Sequence, residues 1–145
     1  MICLGVDPGL SRVGVALGQD SLAIALETFP SAQAIAAVKE LAAQKQAERI
    51  YVGLPLSLSG QQTASTKSAI DFALELASTT TVPIYLLDER LTTAASSKTA
   101  AIEGKSSRQI REFIDSEAAR LIVESAIASN HKLGLELGDY VARNS

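Results

Sequence analysis

Three separate segments of this 145-residue chain place carboxylates beside residues built for burial. Asp7 follows the apolar run "ICLGV" and precedes Pro8-Gly9, while Asp88 and Glu89 follow "VPIYLL". Asp115 opens "DSEAARLIVESAI", where Ala118, Ala119, Ile122, Val123, Ala126 and Ile127 continue an i, i+3, i+4, i+7 stripe. A carboxylate on a face that packs against a sheet is costly unless hydrogen bonds, a basic partner or a cation compensate it. Each acid also has an ordinary reading: Asp7 as a turn residue, Asp88 and Glu89 as a helix start, Asp115 as a helix N-cap. If the fold brings them together, their mutual repulsion calls for a cation. One cysteine and one histidine cannot build a nitrogen-and-sulfur zinc site, so the ligands would be oxygens and the ion Mg²⁺ or Mn²⁺. A carboxylate-held metal pair about 4 Å apart activates water and stabilises the leaving oxygen of an in-line phosphodiester displacement, with no nucleophilic side chain required.

Phosphate chemistry asks for positive charge nearby, and the net charge of -3 hides some. Between residues 90 and 111 stand Arg90, Lys98, Lys105, Arg108 and Arg111 against Glu103 alone, making that segment +4 and the remainder -7. This patch lies between two of the candidate acids, and Arg12 in the first turn adds to it. It suits a phosphate backbone held without sequence readout, although a solvated helix-and-loop surface accounts for it equally well. Aromatic content of 4% with no Trp argues against binding driven by base stacking. Residues 53–66, "GLPLSLSGQQTAST", bring glycine and hydroxyls that suit phosphate contact or simply mark a loop before a helix. Thr92 and Thr93 read as capping residues, and His131 as a surface residue with no special task.

The elements that must position these groups follow from periodicity. Residues 2–6, 13–17 and 22–26 alternate bulky and small types, and the intervening turns are too short for a helix, which predicts an antiparallel meander. Asp7 lies on its small face. A helix over 31–46 leads into the continuous apolar run 50–54, a parallel strand by its composition. A second helix over 63–78 leads into a fifth strand ending at Asp88, and the last helix carries Asp115. The βββαβαβα order predicts an α/β fold: a five-stranded mixed sheet, three antiparallel strands then two parallel, with helices on both faces. Its site is expected at the carboxyl ends of the parallel strands. The length suits one domain over residues 1–145, with 131–145 as a C-terminal tail and 103–109 as the most mobile loop. No apolar run reaches the roughly 20 residues of a membrane span and no leader is evident, so a cytoplasmic protein with no membrane partner is expected.

Taken in order, "GVDPGLSRVGVA", "YVGLPLSLSG", "LLDERLTT" and "DSEAARLIVESAI" resemble the YqgF family, also called RuvX or Holliday-junction resolvase-like, of the ribonuclease H-like superfamily. The resemblance spans nearly the whole chain. It implies a ribonuclease H-like fold and a divalent-metal nuclease that processes the 5′ end of pre-16S rRNA or, in some members, resolves branched DNA. Position by position it implies catalytic and metal-binding roles for Asp7, Glu89 and Asp115, with Asp88 a competing middle ligand. "LTTAAS" and "REFID" depart from the family's usual continuation and approach to the last acid, without removing a proposed ligand.

Two other function classes compete. A ribosome-maturation factor that binds RNA without cutting it would depend on Arg108 and Arg111 but not on Asp7. An ATPase of the actin-like or sugar-kinase-like type shares the Asp-x-Gly strand turn but needs a second lobe for which this chain has no residues. The sequence leaves monomer and homodimer open; symmetric cutting of a four-way junction requires two active sites and hence a homodimer.

Overall fold

The computed structural model describes residues 1–9, 11–92 and 106–144, apart from the side chains of Arg111 and Glu112. The meander forms as expected: β1 (Ile2–Pro8), β2 (Arg12–Gln19) and β3 (Leu22–Pro30) pair antiparallel. Helix α1 (Ser31–Lys45) leads to β4 (Arg49–Leu54), and α2 (Ala64–Ala77) to β5 (Ile84–Asp88). A single 3-10 turn, Glu89–Leu91, follows β5 directly. Helix α3 (Ser107–Ala128), the two-residue strand β6 (Leu135–Glu136) and the short helix α4 (Leu137–Arg143) complete the chain.

The sheet order is β3-β2-β1-β4-β5-β6. β1 is parallel to β4 and β4 to β5, while β6 pairs antiparallel with β5. Among the described residues six strands therefore replace the expected five. The extra strand comes from the segment expected as a tail, where β6 takes the free edge of β5 and α4 buries Leu137 behind it. Only two residues of β6 pair, too few to leave a period in the sequence.

The alternation of bulky and small residues decides how the layers pack. Leu4, Val6, Val13, Val15, Leu17, Ile50, Val52, Leu54, Ile84 and Leu86 form one face and bury against Ala34, Val38 and Ala42 of α1 and Ala73 and Leu76 of α2. The other face carries Cys3, Gly5, Gly14, Ala16 and Gly18, and α3 lies across it. A β-carbon on Gly5 would strike Val123 and stand 2.8 Å from the carbonyl oxygen of Ala119, so the missing side chains let the helix backbone descend onto the sheet. Gly18 serves the same purpose against Val123 and Ile127.

Helix α3 begins earlier than its apolar stripe suggests. Ser106 is its N-cap, accepting from the Gln109 amide while the Gln109 side chain accepts from Ser106 in return. Residues 107–109 are therefore helical rather than part of a loop, and Asp115 sits in the helix interior. The N-cap reading of Asp115 is thereby excluded. No described helix is long and apolar enough to cross a membrane.

Candidate active site

The candidate acids gather where the sheet changes direction. β1 stands between antiparallel β2 and parallel β4, and the carboxyl ends of β1, β4 and β5 lie side by side. Asp7 shares the face of Cys3 and Gly5 by strand alternation, and its partner across β2 is Gly14. On the other side, Val6 pairs with Val52, so Asp7 and Gly53 each lie one residue beyond that pair. Asp7 is thus flanked by two glycines.

Those glycines make room for the other two acids. A β-carbon on Gly14 would collide with the carbonyl oxygen of Asp115 and lie 2.6 Å from its carbonyl carbon. A β-carbon on Gly53 would lie 2.5 Å from Oε1 of Glu89 and 2.7 Å from Cδ1 of Ile122. The row Gly14, Asp7, Gly53 therefore brings Asp115 of α3 and Glu89 of the 3-10 turn to either side of Asp7, on one face of the sheet. Asp7, Glu89 and Asp115 are all half-buried. Interior strand glycines signal close approach, a clue the sequence offered without saying what approaches.

Asp88 is placed differently. It alternates with Leu87, which faces α3, and pairs with Leu54 on the opposite side. Its carboxylate accepts from Arg90 four times, from the main-chain N–H at 2.9 Å, from Nε at 3.1 and 3.0 Å, and from Nη2 at 2.6 Å. Burial alone would raise the Asp88 pKa, but the Arg90 side-chain bonds, its amide and its charge together hold it below the usual 3.8. The remaining terminal nitrogen of Arg90, Nη1, donates to the carbonyl of Leu58 at 3.3 Å.

Of the other basic candidates, Arg12 lies on the acid face by alternation with Gly14, half-buried with Nη1 out of solvent. Arg108 is exposed on the first turn of α3. Lys98, Lys105, the Arg111 side chain and Thr93 lie outside the described residues. Thr92 does cap, at the far end of the 3-10 turn, where its hydroxyl donates to the Glu89 carbonyl at 2.9 Å.

The donor set of Asp7, Glu89 and Asp115 is all oxygen and suits a hard divalent cation. Among the described residues no three His, Cys, Asp or Glu side chains stand close enough to hold a metal ion. The acids are neighbours in position and not a closed cage. Like charges repel, so drawing carboxylates closer needs hydrogen bonds, a basic partner or a cation.

His131 departs from the expectation of an idle surface residue. It adopts φ 62° at the end of α3, and its Nδ1 lies 2.7 Å from the hydroxyl of Tyr51, which is fully buried. Arg49 donates from Nη1 to that phenol oxygen and to the His131 carbonyl, each at 3.3 Å, and its guanidinium stacks on Tyr85. The cluster lies at the amino end of β4, away from the acids.

Known proteins resemble this chain over most of its length. The family model RuvX, described as Holliday junction resolvase, matches residues 1–129. A Clavibacter sepedonicus protein named "Putative pre-16S rRNA nuclease" is 37% identical over 97% of this chain and 91% of its own length. A relative of the same name from Anaeromyxobacter is 36% identical over 88% of this chain and 97% of its own. The structure of Thermus thermophilus RuvC in complex with Holliday junction substrate superposes with a TM-score of 0.59 at 15% identity, covering 94% of this chain and 99% of that one. At that identity the likeness concerns the fold, which is ribonuclease H-like.

Proposed function

Because the chain belongs to the RuvX family, we propose that it is a nuclease that hydrolyses phosphodiester bonds, with pre-16S rRNA as its substrate and the cytoplasm as its place of work. The observation that carries this reading is the row Gly14, Asp7, Gly53, which seats Asp115 and Glu89 on either side of Asp7 at the carboxyl ends of the central strands. Asp7, Glu89 and Asp115 would hold Mg²⁺ or Mn²⁺. When bound, the cation supplies a lowered pKa for the attacking water and charge stabilisation for the leaving oxygen. The chain's own residues do the rest. The glycine floor keeps the acids close to the sheet, and the helix interior fixes the direction of Asp115. Arg12 and Arg108 lie where they can hold the phosphate backbone on either side without reading sequence.

The name shared by the relatives favours ribosomal RNA precursor over branched DNA, and the family description favours the reverse. Purified protein with Mg²⁺ or Mn²⁺ is offered both substrates, alongside Asp7→Asn. Cleavage of the RNA precursor that is lost by at least about 100-fold in Asp7→Asn is the expected result. Cleavage by Asp7→Asn at the wild-type rate would overturn the assignment of the acids. Binding of the precursor without cleavage at any metal concentration would make the protein a non-cutting maturation factor.

A further inference from the structure

The loop between β4 and α2 starts at the acid site and is held in an ordered shape. Ser57 N–H donates to the Gln61 carbonyl at 3.0 Å, Gly60 N–H to the Ser57 carbonyl at 2.8 Å, and Gln61 N–H to the Ser57 hydroxyl at 3.0 Å. Leu56 and Gln62 bridge its two arms. At its base, fully buried Thr66 donates to the Pro55 carbonyl and caps α2 together with Thr63. At its tip Leu58 is 96% exposed. Ordering a loop costs conformational entropy, and an outward leucine returns none of it through burial in this chain.

One side chain joins that tip to the segment carrying Glu89. Arg90 is gripped through Nε and Nη2 by Asp88, which leaves Nη1 to hold the Leu58 carbonyl. The guanidinium also lies along Gly60, where φ is +85° and an added β-carbon would stand 3.3 Å from Nη1. Gly60 is thus required both by its left-handed backbone and by the space Arg90 takes. The other end of the loop leaves Gly53, on which the Glu89 carboxylate rests.

We infer that Asp88 and Arg90 are positioning residues: they hold the 55–62 loop beside Glu89, so that Leu58 packs on a base or sugar face of the strand being cut. Asp88 is then a brace and not a metal ligand, and Arg90 acts through the loop and not on a phosphate. The inference rests on the nuclease reading for its substrate, but its test does not depend on turnover. A Leu58 contact is apolar and local, so it survives high salt better than phosphate contacts do.

The experiment compares full-length wild type with Asp88→Asn, Arg90→Ala, Leu58→Ala and Glu89→Gln. Affinity for a labelled 16S precursor fragment and for a labelled four-way DNA junction is measured in EDTA, cleavage in a Mg²⁺ titration, and loop order by limited proteolysis between residues 55 and 62. The expected result is about tenfold weaker binding for Arg90→Ala, Asp88→Asn and Leu58→Ala of whichever nucleic acid binds wild type. KM rises with little change in kcat or in the Mg²⁺ concentration for half-maximal rate. The two brace variants are cut faster in the loop, whereas Leu58→Ala is not. Glu89→Gln retains binding and loses kcat. If Asp88→Asn instead loses kcat and needs more Mg²⁺, as a ligand variant would, the brace assignment is wrong. Unchanged affinity in Leu58→Ala would equally overturn the proposal. If wild type binds but never cuts, the nuclease reading fails while the binding and proteolysis results still decide this one.

Discussion

The carbonyl group of Asp115 rests on the bare α-carbon of Gly14, its carbon 2.6 Å from where a β-carbon would stand. Backbone meets backbone here, so neither side can give way by turning a rotamer. Gly14→Ala must push α3 off the sheet at the turn that carries the acid. The expected cost is about 3 kcal/mol, at the upper end for overpacking, read from urea unfolding curves. Cleavage falls further than the folded fraction does, because Asp115 moves with its helix.

Gly53→Ala offers the contrast. Its new methyl would meet the ends of two flexible side chains, Oε1 of Glu89 at 2.5 Å and Cδ1 of Ile122 at 2.7 Å. Glu89 is half-buried and can swing aside while the buried Ile122 must repack, so a loss of about 1 kcal/mol is expected, well below that of Gly14→Ala. The displaced group is the proposed catalytic carboxylate, however, and a shift of about 1 Å there costs on the order of 100-fold in rate. Thermal unfolding and single-turnover cleavage of the same preparation separate the two effects.

The His131 cluster makes stability depend on pH. With Arg49 donating to the Tyr51 oxygen, the phenol is left to donate to Nδ1, and the hydrogen-bond pattern thereby assigns that nitrogen as bare. Burial first, then the positive charges of Arg49 and the chain's amino terminus, lower the His131 pKa below 6.5, with Glu48 opposing them. The unfolded chain therefore takes up a proton that the folded chain refuses. Stability is complete above 6.5 and declines as pH falls from there toward the lowered folded value. Asparagine tolerates the left-handed backbone, so His131→Asn should fold and flatten this part of the curve between about pH 5 and 7. Urea midpoints measured across that range check it. An equal slope in both proteins would assign the dependence elsewhere.

Thr66 is the one buried polar residue among those described; its hydroxyl donates to the Pro55 carbonyl and accepts from the Thr63 N–H of the α2 cap. Thr66→Val keeps the volume and removes both bonds. A loss of about 2 kcal/mol is expected, from an orphaned carbonyl and a weakened cap. Differential scanning calorimetry measures it, and a shift within error would mean that water replaces the hydroxyl.

Much of this architecture was legible because burial writes its own period. The meander strands and α1, α2, β4 and β5 lie close to where alternation and helical stripes put them. The start of α3 was missed because Ser106 to Gln109 are polar and exposed, although Ile110, Phe113 and Ile114 carry the apolar stripe upstream of Asp115. The Ser106 and Gln109 pair, a capping-box spacing, marked it all the same. β6 and α4 were missed because two paired residues and a seven-residue helix are held by tertiary contact rather than by pattern. The acids were found through their misfit with apolar neighbours, and the glycines seat them, but strand register was needed to line up Gly14, Asp7 and Gly53. Tyr51 and His131 are 80 positions apart, and no local rule links them.

The grip of the sheet on α3 is one-sided. Ala119 and Val123 are clamped over Gly5, and Val123 and Ile127 over Gly18, whereas Ser106 to Gln109 stand in solvent. The upstream end of the helix therefore overhangs the contact of Asp115 with Gly14, and Arg108 rides about two turns beyond it. Whatever takes hold of Arg108 therefore loads the helix at its free end and delivers that load to the backbone that carries the acid.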